Sequence, residues 1–369
     1  MEYTSAKIIT GSSRMEGCGM YSETSATWAW GPFCKAGEAN PCLTPQPGSV
    51  FHCPMRQAPV HWEEKDVFNP AAVVREDKVY LLYRAEDTVG THAGTSRIGL
   101  AVSGDGLHFE TMPEPVLYPA PDGREDEEWD GGCEDPRVCE REDGLYVMLY
   151  TAYNGRLARL CAASSRDLLT WEKHGPVFRQ AHDGRFANLY CKSGSVVCAF
   201  EGDRCVAQKI DGRYWMYWGE GHIYAAVSDD LLVWEPVEFR PDGAAETALY
   251  PVMGPRRGRY DEMLCEPGPP AILTDDGILL LYNGKGANPR RLGGHDTMYQ
   301  PGQALLDRDN PTQVLARTSQ PFLSPSEPFE LAGQVMPTCF IEGLVRFKGQ
   351  YFLYYGTADS RVAVACCPV

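Results

Sequence analysis

Four polar side chains recur in this sequence at places that look alike. Asn69-Pro70-Ala71-Ala72-Val73, Asp135-Pro136-Arg137-Val138, Glu266-Pro267-Gly268-Pro269-Pro270-Ala271 and Glu342-Gly343-Leu344-Val345 each set an amide or carboxyl directly before Pro or Gly. Asn69 and Asp135 are 66 residues apart, a spacing that returns below. A proline at the first position of a strand leaves no ladder bond unmet, and it holds the residue before it extended. Each polar residue is therefore expected where a strand begins. A single acid there would read as a turn cap. Three acids at matched positions read as a shared site, with Arg84-Ala85-Glu86-Asp87, Gly219-Glu220-Gly221-His222, Asn283-Gly284-Lys285 and Ala358-Asp359-Ser360-Arg361 close by. Converging carboxylates with Arg and Asn between them suit cleavage of a glycosidic bond. One carboxyl protonates the leaving oxygen, and another activates water or attacks.

The elements that must bring these residues together form an internal repeat. Five runs, beginning at Tyr80, Tyr146, Tyr214, Ile278 and Tyr351, consist of aromatic and aliphatic residues of strand type and are 66, 68, 64 and 73 residues apart. Each follows a turn-forming stretch such as Asp211-Gly212-Arg213 or Asp275-Asp276-Gly277, a hairpin signal. The first three are followed by a common tail, Ser103-Gly104-Asp105, Ser165-Arg166-Asp167 and Ser228-Asp229-Asp230, which ends in Phe109, Trp171 and Trp234. The Ser and Asp can bond the turn's backbone N–H groups, and the aromatic can pack between neighbouring sheets. Near-constant repetition of short strands without intervening amphipathic helices predicts an all-β fold, a five-bladed β-propeller. Five such blades take roughly 330 residues. The chain, 1–369, reads as one catalytic domain in which 1–60 is an N-terminal extension that lends a closing strand.

Composition narrows the partners. The formal net charge of −16 argues against nucleic acid and against an anionic membrane face, and no apolar run approaches the ~20 residues of a membrane helix. An acidic surface with 8 Trp, 19 Tyr and 13 Phe suits a polyol, whose hydroxyls meet carboxylates and whose C–H faces meet rings. The same charge also serves solubility alone. Met1 to Lys7 lacks a basic start and apolar core, so a cytoplasmic location is expected. The 14 cysteines show no CxxC or zinc spacing and read as reduced and structural, among them Cys161, Cys198 and Cys205. No motif calls for a metal or organic cofactor, and Asp275-Asp276-Gly277 lacks the spacing of a calcium loop.

Phe68-Asn69-Pro70-Ala71, Tyr83-Arg84-Ala85-Glu86-Asp87, Gly94-Thr95-Ser96-Arg97-Ile98-Gly99 and Gly131-Gly132-Cys133-Glu134-Asp135-Pro136-Arg137 resemble glycoside hydrolase family 130. So do Glu266-Pro267-Gly268-Pro269-Pro270, Tyr282-Asn283-Gly284 and Ala358-Asp359-Ser360-Arg361, and the match runs in order from about Trp28 to the C-terminus. The resemblance implies a five-bladed propeller acting on β-mannosides with inversion. It places the proton donor at Asp135, with the proton passing directly or through a sugar hydroxyl. It places Asn69, Arg84 and Asp359 around the mannosyl unit. Arg97 and Arg137 orient carboxylates or touch sugar, and for Arg137 an ion pair with a neighbouring acid is an equal reading. Asn283 joins the substrate-binding set. Lys192 touches sugar or lines the rim.

The nucleophile is a matter of charge. Phosphate needs two or more cationic donors converging on it, whereas water needs a carboxylate base. Family phosphorylases tend to carry a basic pair where this chain has Trp218-Gly219-Glu220, and Glu266 adds a second acid. The expectation is an inverting β-mannosidase on β-1,2-linked, mannose-containing oligosaccharides, with Asp135 as acid and Glu220 and Glu266 activating water. His222 and Lys285 keep open a phosphorylase that takes inorganic phosphate and releases mannose 1-phosphate. A non-catalytic sugar-binding propeller is a second alternative, and a glycosidase acting on furanosides or arabinosides a third. The segment from Gly286 to Gln300 reads as a rim loop.

Overall fold

The structure, a computed structural model, describes residues 27–92 and 94–369. The reading of Met1 to Lys7 lies outside the described residues. The chain is built from strands, with only two α-helices among the described residues, Glu125–Glu128 and Pro328–Leu331. No helix there is long and apolar enough to cross a membrane.

Most strands among the described residues fall into five antiparallel meanders of four. The first runs Asp66–Arg75, Lys78–Glu86, Ser96–Ser103 and Glu110–Thr111. The second runs Gly132–Glu140, Tyr146–Tyr153, Ala158–Ser165 and Glu172–Pro176. The third comprises Ser195–Glu201, Arg213–Trp218, Ile223–Ser228 and Glu235–Pro236. In the fourth the leading strand is broken into Leu264–Pro267 and Ala271–Thr274, ahead of Gly277–Ala287, Thr297–Leu306 and Val314–Arg317. The fifth has Phe340–Phe347, Gln350–Thr357 and Arg361–Pro368. Its fourth strand is Cys34–Lys35, brought from near the other end of the sequence to pair with Arg361–Pro368.

The turns form for the reason the sequence suggests. Glu76 and Asp77 (φ +52° and +56°), Asp211 and Gly212 (+50°, +80°), and Lys348 and Gly349 (+48°, +78°) place two consecutive left-handed residues at the hairpin tip. That is the twist a two-residue hairpin requires. Ser103, Ser165 and Ser228 accept backbone N–H bonds through Oγ in the repeated tail, at 2.9 Å from Gly106, Leu168 and Leu231. Phe109 of the first meander meets Tyr354 of the fifth edge-on.

Second strands read as unbroken apolar runs because both their faces are covered. Ile278, Leu280 and Tyr282 pack with Tyr217 and Ile223 of the third meander, while Leu279 and Leu281 point the other way and join Ile341 and Leu344 of the fifth. Leu82 and Ile98 of the first pack with Met148 and Tyr150 of the second. Val79, Leu81 and Tyr83 of the first pack with Val345 and Tyr354 of the fifth, so the last meander returns to the first. Cys133, Cys161, Cys198 and Cys265 are buried free thiols within these layers. Burial of apolar side chains between the sheets is the main cohesive term, at roughly 25 cal/mol per Å².

One expectation is corrected. Asn69, Asp135 and Glu342 do not begin strands; they lie inside Asp66–Arg75, Gly132–Glu140 and Phe340–Phe347. In each case the ladder skips a register, at Phe68/Pro70, Glu134/Arg137 and Ile341/Gly343. These are β-bulges, which bend the strand and re-aim one side chain. Asn69 and Asp135 both have φ of +48°, so the backbone itself turns their side chains out of the pleat. Pro136 lies within the skipped register, where no ladder N–H is needed, and Pro70 follows directly on the skipped Asn69. Glu266 differs: it stands near the end of a strand that breaks over Gly268–Pro270.

Candidate active site

The bulges bring the expected residues together. Asn69 Nδ2 donates to Asp135 Oδ1 at 3.0 Å, across two meanders. The Asn69 Oδ1 atom is buried with no partner. A Cβ at Gly356 would collide with it, so only glycine lets this amide sit where it does. Arg84 ties the acids into a knot. Its Nη1 lies 3.2 Å from Asp135 Oδ1, and its Nη2 lies 2.7 Å from Glu86 Oε1 and 3.0 Å from Glu134 Oε1. Its Nε donates to Ser96 Oγ at 3.0 Å, and its guanidinium covers the Phe68 ring.

Arg137 performs the parallel task deeper in. It donates to the carbonyls of Gly268 (2.9 Å), Pro267 (2.9 Å) and Asp135 (3.2 Å), and its Nη1 is 2.7 Å from Glu342 Oε1. Of the two sequence readings for Arg137, the geometry has the ion pair, and with it a brace between the strands carrying Asp135, Glu266 and Glu342. Glu266, 2% exposed, accepts a hydrogen bond from Ser193 Oγ. Glu220 lies on an exposed turn and accepts one from Tyr190 Oη at 3.0 Å.

Electrostatics sorts the acids. Burial alone would raise the Asp135 carboxyl, but the charges of Arg84 and Lys192 and the Asn69 hydrogen bond outweigh it and bring it to about 2. Burial wins at Glu134, pushed up to about 7 despite Arg84, with the Asp135 charge adding to the rise. It also wins at Glu266, raised to about 7 with help from the Glu220 charge and against Lys192, and at Asp359, raised to about 7 against Arg84. Glu342 is raised well above the usual range by burial, against Arg137. Lys192 is held protonated by Glu266, Asp135, Glu220 and Glu134 against the burial that would neutralise it. The site thus keeps Asp135 ionised beside a Glu134 that holds its proton up to about pH 7. Pairs of carboxyls driven apart in this way are characteristic of acid–base sites.

Two expected residues stand apart. Arg97 is fully buried in a separate pair, with Nη1 2.8 Å from Asp87 Oδ2 and 3.1 Å from the Thr95 carbonyl. Asn283 is fully buried and bonds both ways to the Ile341 backbone, at 3.0 and 2.8 Å, fastening the fourth meander to the fifth. His222 is exposed beside Tyr224, and Lys285 covers the Tyr299 ring. Sequence reasoning assigned no role to Glu134, Glu86, Ser193, Tyr190 or Tyr299. Glu134 and Glu86 stood inside the quoted motifs, and Ser193 stood beside Lys192. The burial and field of Tyr299, whose hydroxyl is raised by burial and by the Glu266 and Glu220 charges, had no signal in sequence.

A buried acid pair, further acids gathered around Lys192 and an amide oxygen without a partner suit the cleavage of a glycosidic bond. The family model described as beta-1,4-mannooligosaccharide phosphorylase, that of glycoside hydrolase family 130, matches residues 39–369. A 1,2-beta-oligomannan phosphorylase of Thermoanaerobacter sp. is 31% identical over 319 residues, covering 84% of this chain and 93% of that protein. A putative glycosidase from Bacteroides thetaiotaomicron superimposes with a TM-score of 0.88 at 49% identity, covering 92% and 98% of the two chains. A further structure comes from work finding that this family of mannoside phosphorylases contains glycoside hydrolases that target beta-1,2 mannosidic linkages in Candida mannan. It is 46% identical with a TM-score of 0.87, covering 92% and 95%. The chain belongs to glycoside hydrolase family 130, and it is an enzyme acting on mannosides.

Proposed function

We propose that the five meanders stand as the blades of a five-bladed propeller and that the enzyme hydrolyses β-1,2-linked mannosides with inversion. The return of the fifth meander to the first and the pairing of Cys34–Lys35 with the last strand support the ring. The observation that carries hydrolysis is the engagement of the cations. Every side-chain nitrogen of Arg84 and Arg137 already contacts a protein oxygen. That leaves Lys192 among the buried acids to meet an anion, while His222 is exposed and Lys285 lies over the Tyr299 ring, and a phosphate needs more than one donor converging on it.

In this reading Asn69, Arg84 and Asp359 hold the mannosyl ring over Asp135. The leaving-group proton is stored on Glu134 in the resting site and shared through the Arg84 knot, so the two carboxyls titrate as a pair. Sugar binding displaces water from Asp135 and takes over the Asn69 contact, which shifts the proton onto Asp135. That proton passes to the glycosidic oxygen, directly or through a sugar hydroxyl. Water attacks the anomeric carbon from the opposite face and gives its proton to Glu266 or Glu220, leaving mannose of inverted configuration. A Glu266 carboxyl near 7 is part-ionised at neutral pH and can take it.

The phosphorylase reading draws support from the names of the curated relatives. β-1,2-Mannobiose incubated with and without phosphate decides between the two. Phosphate-independent release of free mannose is expected; mannose 1-phosphate formed only when phosphate is present would end the hydrolytic reading.

A further inference from the structure

We propose that the four-residue segment Tyr190-Cys191-Lys192-Ser193 is a clamp that spaces Glu220 and Glu266 around the attacking water, with Tyr190 and Ser193 as positioning residues; this rests on the hydrolytic reading above. The segment reaches both acids from one short piece of chain. Tyr190 Oη donates to Glu220 Oε2 at 3.0 Å, and Ser193 Oγ donates to Glu266 Oε1. Lys192 stands between them in sequence and feels the charges of both.

Local structure explains why a clamp is needed. Glu220 is flanked by Gly219 (φ +115°) and Gly221 (φ +94°), so its own turn offers no packed neighbour to hold the carboxylate. The turn's backbone is nevertheless pinned: Gly219 N bonds the Lys192 carbonyl at 2.9 Å, and Cys265 N bonds the Gly221 carbonyl at 3.0 Å. Those anchors adjoin Ser193 and Glu266, so the backbones of both acids are tied to the clamp, and only the Glu220 side chain remains to be set. Tyr190 sets it. Burial and the Glu220 charge push the Tyr190 hydroxyl up to about 12, so it donates throughout the working pH range.

The clamp itself is rooted in the core. Cys191 is 5% exposed, its N–H bonds the Ala158 carbonyl at 3.1 Å, and its Sγ accepts from Leu160 N at 3.3 Å. Ser193 is fully buried at φ +60°, a strained conformation for serine. That turn of the backbone aims its hydroxyl at Glu266 rather than along the strand. Rigid roots with two outward donors are what holding a pair of bases in register requires.

Tyr190→Phe and Ser193→Ala, singly and together, test this on β-1,2-mannobiose in phosphate-free buffer, with thermal melts as a folding check. Each single variant is expected to lose about tenfold in kcat with KM within about twofold of wild type, since a hydrogen bond to a charged group is removed and sugar contacts are kept. The loss is expected to persist on an aryl mannoside with a good leaving group, which relieves the demand for acid but not for a base, and azide is expected to restore part of it. Unchanged kcat in Tyr190→Phe with a normal melt overturns the clamp. So does a loss that vanishes on the aryl substrate, or one that appears wholly in KM. Wild-type phosphate dependence, measured first in the same assay, reports on the hydrolytic reading separately.

Discussion

Replacing Glu266 with glutamine is expected to make the protein more stable and inactive at once, and only at high enough pH. Burial has moved this carboxyl from its ordinary 4.5 to about 7, against the pull of Lys192 and Arg137. Between those values the folded chain binds a proton that the unfolded chain has released. Because the folded value is the raised one, the residue's contribution to stability is whole below pH 4.5 and is lost as pH rises through 7. The full loss is about 3 kcal/mol, taking 1.36 kcal/mol for each pH unit between the two values. Glutamine keeps the shape and an oxygen to accept from Ser193, yet it never ionises. Glu266→Gln should therefore melt within about a degree of wild type at pH 5 and roughly 2–4 °C above it at pH 8, where a chain of this length gains a degree or so per kcal/mol. Mannobiose turnover should fall by two orders of magnitude or more at pH 8 and by much less at pH 5, where the wild-type carboxyl is itself mostly protonated. Scanning calorimetry at the two pH values reads the first effect directly. A variant destabilised equally at pH 5 and pH 8 would refute the reasoning, because the side chain's shape rather than its proton would then be what matters.

Two further substitutions test residues whose polar groups are paired within the protein. Asn283→Ala should lower stability by about 2 kcal/mol through loss of both bonds to Ile341, with KM for mannobiose unchanged in the folded fraction; a raised KM with an unchanged melt would return Asn283 to the sugar. Arg97→Met should cost about 3–5 kcal/mol by stranding the Asp87 charge, and Arg97→Met/Asp87→Asn, which keeps the oxygen that accepts from Gly90 N and Thr95 N, should recover much of it. Failure of the second change to recover any stability in melts would show that Arg97 does more than pair with Asp87.

The repeat made the strand meanders legible, since an apolar run that returns five times at near-equal spacing demands five like units packed side by side. The turns were legible too, because Asp-Gly and Lys-Gly declare left-handed φ values. The bulges were not. Asn-Pro and Asp-Pro look the same in sequence at the start of a strand as at a skipped register within one, and only the pairing on both sides separates the cases. Within the site, Asn69 and Asp135 could be named from their equivalence between repeats, and Arg84 from its place at the end of a second strand and from the family resemblance. Arg97 and Asn283 sit in equally suggestive motifs, but whether a polar side chain faces the substrate or a neighbouring backbone depends on packing between sheets. Sequence holds no record of that distance. The state of Asp135 was hidden for a similar reason: its ionisation is set by Arg84 and Lys192, which lie 51 and 57 residues away along the chain.

The bulges carry a consequence for how such a protein can diversify. Asn69, Asp135 and Glu342 leave the ladder at the same kind of backbone irregularity, and the strand on either side resumes its pairing undisturbed. Each bulge is a socket whose occupant stands outside the pairing of the sheet. Exchanging an amide for a carboxylate there rewrites the chemistry of the site while the scaffold keeps its register. The mutational route between related activities is short on such an architecture, and it need not pass through an unfolded intermediate sequence.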